Sequence, residues 1–213
     1  MKGREKSPGR RSQAVAAKRT AIVNAALSLF SQYGLHGTRI EQVAALAAVS
    51  KTNLLYYFPS KEQLYLAVLQ DILAIWLAPL RALHADQQPL QAINHYIRLK
   101  LEVSRDHPQA SRLFCLEILQ GAPVLHKELE GNLRELVDEK AALIRHWISA
   151  GQLAEVDPRQ LIFMLWSVTQ HYADFAVQIR SVTGKSLQDP QFFSDTLQNI
   201  QTVIGRGLCP QQA

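Results

Sequence analysis

Residues 51–61 read Lys-Thr-Asn-Leu-Leu-Tyr-Tyr-Phe-Pro-Ser-Lys, and the polar side chains of this run suit a nucleic-acid reader. Thr52 and Asn53 carry the hydroxyl and amide that match base edges, while Lys51, Tyr56 and Tyr57 bring an ammonium and two phenols to phosphate oxygens. Leu54, Leu55 and Phe58 are interleaved with them at helical spacing. One face of a short helix is thereby anchored and the other left free to meet a groove. Lys61 adds a phosphate-seeking charge at the start of the next helix.

A second set of residues could hold a small flat molecule. Phe163, Trp166 and Gln170 recur at spacings of three and four, so they share one helix face. The Gln170 amide presents a donor and an acceptor together, which suits the alternating carbonyl and N–H edge of a heterocycle. Trp76 and Phe114, on other helices, could supply ring walls, and Lys100 could reach a ring carbonyl. A single Trp or Phe is usually core packing. Gln170 is harder to explain that way, because a buried amide without partners costs about 1–3 kcal/mol.

Other chemistries find little support. His36, His84, His95, His107, His126, His146 and His171 form no HxH, HxxxH or Cys/His cluster, so no metal is expected. His171 and Asp174 read as a hydrogen-bonded structural pair. There is no GxSxG or Walker loop, and Cys115 and Glu117 sit two apart, off a common helix face. Neither an enzyme nor a cofactor is expected.

The elements that must position these residues are helical. Apolar spacing of three and four dominates from residue 14, and no strand alternation appears. The spacing predicts a first helix over 14–33 that buries Ile22, Ala25, Ala26, Leu29 and Phe30 and stops at Gly34. Thr38 is placed to cap a second helix, and Ser50 a third that Pro59 ends. Ser60 starts a long fourth helix with Gln63 completing a capping box, and Pro79 should kink or end it. Five further helices are predicted near 88–106, 109–120, 123–150, 158–183 and 190–208, separated by Pro and Gly. The fold class is all-α with about nine helices. Ala47-Ala48-Val49-Ser50, between the second and third, has the form of a helix-turn-helix.

Charge sharpens this division. The 213 residues carry 23 Lys+Arg and 18 Asp+Glu, a net +5. Residues 1–60 hold nine basic and two acidic residues, a net +7, which leaves −2 for the rest. A polyanion-binding head on a near-neutral body is expected: a disordered basic tail over 1–13, a helix-turn-helix domain over 14–60 and a helical ligand-binding and dimerisation body over 61–213. Hydrophobic residues at 47% and charged ones at 19% exclude a disordered or collagen-like chain. Two cysteines without CxxC suggest neither disulfide framework nor zinc ribbon. With no secretory leader and no membrane span expected, a cytoplasmic location is expected.

Residues 25–64, with Phe30, Gly34, Thr38, Ile40, Ala44, Val49-Ser50-Lys51, Leu54-Leu55-Tyr56-Tyr57-Phe58 and Ser60-Lys61-Glu62, resemble the TetR family of repressors. The chain departs from that pattern at Ala48, where glycine is common in the turn, and at Leu55, where tyrosine is common. The runs 72–80, 96–104, 108–115 and 170–177 look like the pyrimidine-utilisation regulators of the family. The resemblance implies a homodimeric repressor that binds palindromic double-stranded operator DNA and is released by uracil or thymine. It implies DNA contacts from Thr38, Arg39, Lys51, Thr52, Asn53, Tyr56, Tyr57 and Lys61, and a ligand site at Trp76, Lys100, Phe114, Trp166 and Gln170. The apolar stripe Phe192, Phe193, Leu197, Ile200, Val203, Ile204 and Leu208 suits a dimer face. Two other readings share this helical frame: a repressor answering a drug or fatty acid, and a helical scaffold that binds no DNA.

Overall fold

The computed structural model describes residues 10–210, and every regular element in that range is helical. The chain divides into two compact units, one ending at Gln70 and the other beginning at Asp71. Most of the expected tail, residues 1–9, lies outside the described residues; helix α1 runs Arg10–Gly37, four residues ahead of the expected start.

In the first unit α1 is interrupted at Gly34, whose φ of 68° is left-handed, a conformation that glycine adopts without steric cost. Ile22, Ala26 and Phe30 are fully buried, while Leu29 is half-buried. Helix α2 (Ile40–Leu46) packs on α1, and α3 (Lys51–Tyr57) packs on α2. Helix α4 (Lys61–Arg81) begins in the same unit, where the ring of its Tyr65 meets Phe30 edge-on, centroids 5.0 Å apart. Pro79 is followed by only two more helical residues. α4 is long and apolar enough to cross a membrane, yet 56% of its apolar window is buried inside the protein, the pattern of a core helix.

The second unit is a helical bundle. α5 (Pro89–Asp106) and α6 (Pro108–Leu119) both carry proline in the first turn, where its missing N–H is harmless. The helix expected over 123–150 is three contiguous segments: a single turn α7 (His126–Glu128), a π-helical turn Leu129–Leu133, and α8 (Arg134–Ser149). The one expected over 158–183 breaks at Phe175 into α9 (Pro158–Asp174) and α10 (Ala176–Thr183), and α11 spans Pro190–Leu208. Asp157 and Asp189 cap α9 and α11 by accepting from Gln160 and Phe192 N–H groups at 2.9 and 2.8 Å, each satisfying one orphan donor. α9 packs against α5, α6 and α8, and α11 against α5. The core of the unit runs through Leu77, Tyr96, Ile97, Trp147, Leu161 and Leu197.

Two buried charged residues serve this architecture. Glu117 accepts the N–H groups of Val124 and Leu125 at 2.7 and 3.0 Å, bracing the turn after α6. Lys140 donates to the Leu83 carbonyl at 3.0 Å.

Candidate functional site

The first site is the α2–α3 motif. Its turn places Ala48 at φ 53°, so alanine occupies the left-handed position that glycine would fill, at a cost of about 1 kcal/mol. Ser50 Oγ accepts the Asn53 N–H at 3.1 Å and sets the start of α3 as its residue type requires. Leu54 and Phe58 are buried and Leu55 half-buried, while Lys51, Thr52 and Tyr56 stand out, Tyr56 with 82% of its surface exposed. The Tyr56 and Tyr57 rings meet edge-to-face at 5.5 Å. Lys51 pairs with Glu41 at 2.7 Å, and that hydrogen-bonded ammonium holds the Glu41 carboxyl below its usual range. Asn53 is half-buried with Oδ1 shielded from solvent and unpartnered.

Three expectations about this motif are adjusted. Thr38 does not cap α2; Arg39 holds the N-cap position, and its N–H donates to Gln42 Oε1 at 3.0 Å. Thr38, expected among the DNA contacts, is buried. Its side chain is 1% exposed and its hydroxyl donates to the Gly34 carbonyl at 2.8 Å, so it ties the α1 break to the start of α2. Lys61 is half-buried and donates to the Thr38 carbonyl at 3.1 Å, which bonds α4 to the same corner. Arg39 is exposed.

The second site lies inside the helical bundle. A cavity of about 50 Å³ is lined by Leu73, Trp76, Leu77, Lys100, Phe114, Leu133, Trp166 and Gln170, so all five residues expected to hold a ligand converge on one space. The Trp76 indole N–H donates to Gln170 Oε1 at 2.7 Å. The Trp166 indole N–H donates to the Tyr96 hydroxyl at 2.9 Å. Both aromatic walls are therefore fixed in rotation as well as position.

Lys100 is 1% exposed, with Nζ 5.1 Å from the Trp76 ring centroid. Desolvation pushes its pKa down to about 7, against the pull of the Asp174 carboxylate. Burial in turn raises the Asp174 pKa, which hydrogen bonds from Ser111 and Gln170 and the Lys100 and His171 charges oppose. The expected His171–Asp174 bond is replaced by these partners: Ser111 donates to Asp174, and the His171 ring stacks on Phe175 at 4.9 Å. Phe163 falls outside the cavity. It lines an outer groove of about 340 Å³ that shares Leu133 and Trp166 with the inner space.

Tyr96, Ser111 and Asp174 are the site residues that sequence reasoning missed. One of them had a signal: Asp174 follows Gln170 by four positions, a spacing at which Gln and Asp side chains meet on a helix. The other two join the site across 70 and 63 residues of sequence, which no local pattern reports.

Among the described residues, no three His, Cys, Asp or Glu side chains gather as metal ligands. Residues 22–68 match the description "Bacterial regulatory proteins, tetR family", and residues 69–211 match "YcdC-like protein, C-terminal region". The chain is 62% identical to the HTH-type transcriptional regulator RutR of Escherichia coli strain K12, over 98% of this chain and 99% of that one. It is 30% identical to the HTH-type transcriptional repressor NicS of Pseudomonas putida, over 94% and 96% of the two chains. Among solved structures, a TetR-like transcriptional regulator from Rhodococcus sp. RHA1 superposes with a TM-score of 0.64 at 19% identity, covering 94% of this chain and 98% of that one. Two matched regions that together span nearly the whole sequence, and a relative of this identity over its full length, establish that the chain belongs to the TetR family of bacterial transcriptional regulators.

Proposed function

We propose that this regulator binds palindromic operator DNA as a cytoplasmic homodimer, represses transcription of pyrimidine-utilisation genes, and releases the operator when uracil or thymine enters the inner cavity. The observation that carries the ligand assignment is the convergence of Trp76, Lys100, Phe114, Trp166 and Gln170 on one space. Flat apolar walls with an amide and an ammonium are what a small cyclic imide needs. The 62% identity to RutR supports the same reading.

The exposed side chains of α3, with Arg39, are the groups this reading gives to the operator. Lys51 would exchange Glu41 for a phosphate. Thr38 and Lys61 act through the backbone corner they tie together. A dimer follows from the reach of one recognition helix, which covers too few base pairs for useful specificity. Its interface is assigned to the groove between α9 and α11 lined by Val168, Tyr172, Ile200, Val203 and Ile204.

An effector releases DNA only if it binds the DNA-incompetent state more tightly; a tenfold preference at each site is worth about 1.4 kcal/mol. The test is a gel shift at fixed salt on a palindromic duplex selected by the protein from random sequence, titrated with uracil. Loss of the shifted band is expected, and undiminished binding at saturating uracil removes the ligand assignment. A second reading, a larger drug-like or fatty acid effector, is favoured by the outer groove that shares Leu133 and Trp166 with the cavity. An aliphatic acid that releases the operator where uracil does not would establish it.

A further inference from the structure

The inner cavity and the outer groove are neighbours divided by two side chains. Leu133 and Trp166 line both, while every other lining residue belongs to one space alone. The two walls are held differently. Leu133 lies in the π-helical turn, and its side chain has no polar group to tie it down. The Trp166 indole N–H donates to the Tyr96 hydroxyl at 2.9 Å, a bond that joins α9 to α5. Tyr96 is fully buried, so water does not reach its oxygen to replace the indole. Swinging Trp166 out of the partition would break this bond and strand a buried hydroxyl, a loss that folded interiors resist. On the groove side the Phe163 ring leans on the indole, centroids 5.6 Å apart. The two spaces also differ in kind, about 50 Å³ inside against about 340 Å³ outside, where Arg134, Asp138 and Arg159 add charged groups.

We propose that Tyr96 is a specificity-determining positioning residue. By pinning Trp166 it keeps the partition closed, so that the inner cavity admits a free pyrimidine base and excludes the same base carrying a sugar on a ring nitrogen. A nucleoside needs the partition open, with its ring in the cavity and its sugar in the outer groove beside Arg134 and Asp138. Tyr96 lines neither space and acts only through the indole. Exclusion built on a held wall is discrimination against the wrong ligand rather than added attraction for the right one. This inference rests on the inner cavity being the effector site.

The test is calorimetric titration of the full chain, and of Tyr96→Phe and Trp166→Phe variants, with uracil and with uridine. The unsubstituted protein should prefer uracil by at least about tenfold, the cost of breaking one buried hydrogen bond to open the partition. Tyr96→Phe removes only the hydroxyl and keeps a ring in the core. Opening then no longer breaks that bond, and the uracil-to-uridine ratio should fall about tenfold, mostly through tighter uridine binding. A merely structural Tyr96 would weaken both ligands alike; an unchanged ratio therefore overturns the proposal. Trp166→Phe has no indole N–H to pin, so adding Tyr96→Phe to it should leave the ratio within about twofold. A further fall beyond that means Tyr96 acts by another route, which also overturns it. If Tyr96→Phe fails to fold, an unchanged ratio in Trp166→Phe alone does the same. Equal binding of uracil and uridine by the unsubstituted protein defeats the partition alone. Binding of neither defeats the effector reading and the partition together.

Discussion

At the scale of single residues, two side chains sit in environments that oppose their preferences. Ala48, at φ 53°, accepts strain that glycine would not feel. Ala48→Gly should raise stability by roughly 0.5–1 kcal/mol, relief of the left-handed strain exceeding the added chain entropy. The urea midpoint is the measurement, and a lower midpoint would contradict the turn geometry. Lys100, with its pKa pushed down to about 7 by burial, lies where a bound ligand can shift its protonation. A ligand carbonyl that accepts from the ammonium favours the charged form and raises that pKa, so binding takes up a proton above pH 7. Uracil affinity should stay level below about pH 7 and decline by up to tenfold per unit above it. In Lys100→Met that decline should vanish; a slope that persists in the variant places the titrating group elsewhere.

At the scale of elements, α3 shows how a seven-residue helix persists. Seven residues are too few for stability in isolation, so α3 relies on the Ser50 cap and on burial of Leu54. Ser50→Ala should cost about 1 kcal/mol of stability and, on the proposed function, weaken operator binding more than it weakens the fold, because the cap aims Lys51, Thr52 and Asn53. Thermal melting and fluorescence anisotropy read the two effects, and operator affinity left intact beside a lowered Tm would mean α3 is not the reader. In the bundle, the π-helical turn Leu129–Leu133 sits where the inner cavity and the outer groove share Leu133. The inner space is small, about 50 Å³. π-turns lie outside the regular helical ladder and are frequent at functional sites. Leu133→Ala should therefore speed uracil association, seen as faster quenching of tryptophan fluorescence in stopped flow; an unchanged rate assigns entry to another wall.

At the scale of the molecule, the charge split and the apolar α9–α11 groove make separate demands. Val203 is 62% exposed at the edge of that groove. Val203→Arg should yield a monomer by analytical ultracentrifugation while leaving the Tm nearly unchanged, and it should lower operator affinity steeply because two half-sites are then bound independently. A dimer that survives the substitution places the interface on another face. Operator binding should also fall linearly in log affinity against log salt, as counterion release requires. Salt-indifferent binding would favour the scaffold reading.

Much of the fold and of both candidate sites was legible in the amino-acid order, because the signals involved are short-range. Helical periodicity, proline at helix starts, the Ser50 cap and the left-handed demand of the turn at Ala48 all act within one or two turns of chain. Trp166 and Gln170 share a face of α9 and were singled out for a related reason: a Gln among aromatics on one helix face has to be accounted for locally. Tertiary structure decided what depends on distant partners. It buried Thr38 under the α1 break and moved the α2 cap to Arg39. It divided the helix over 158–183 at Phe175, and it gave Asp174 to Ser111 rather than to His171. Gln170 reaches Trp76 across 94 residues. A hydrogen bond that closes so long a loop forms only after the helices on either side have packed, and for that reason the order of donors and acceptors in the cavity belongs to the tertiary structure.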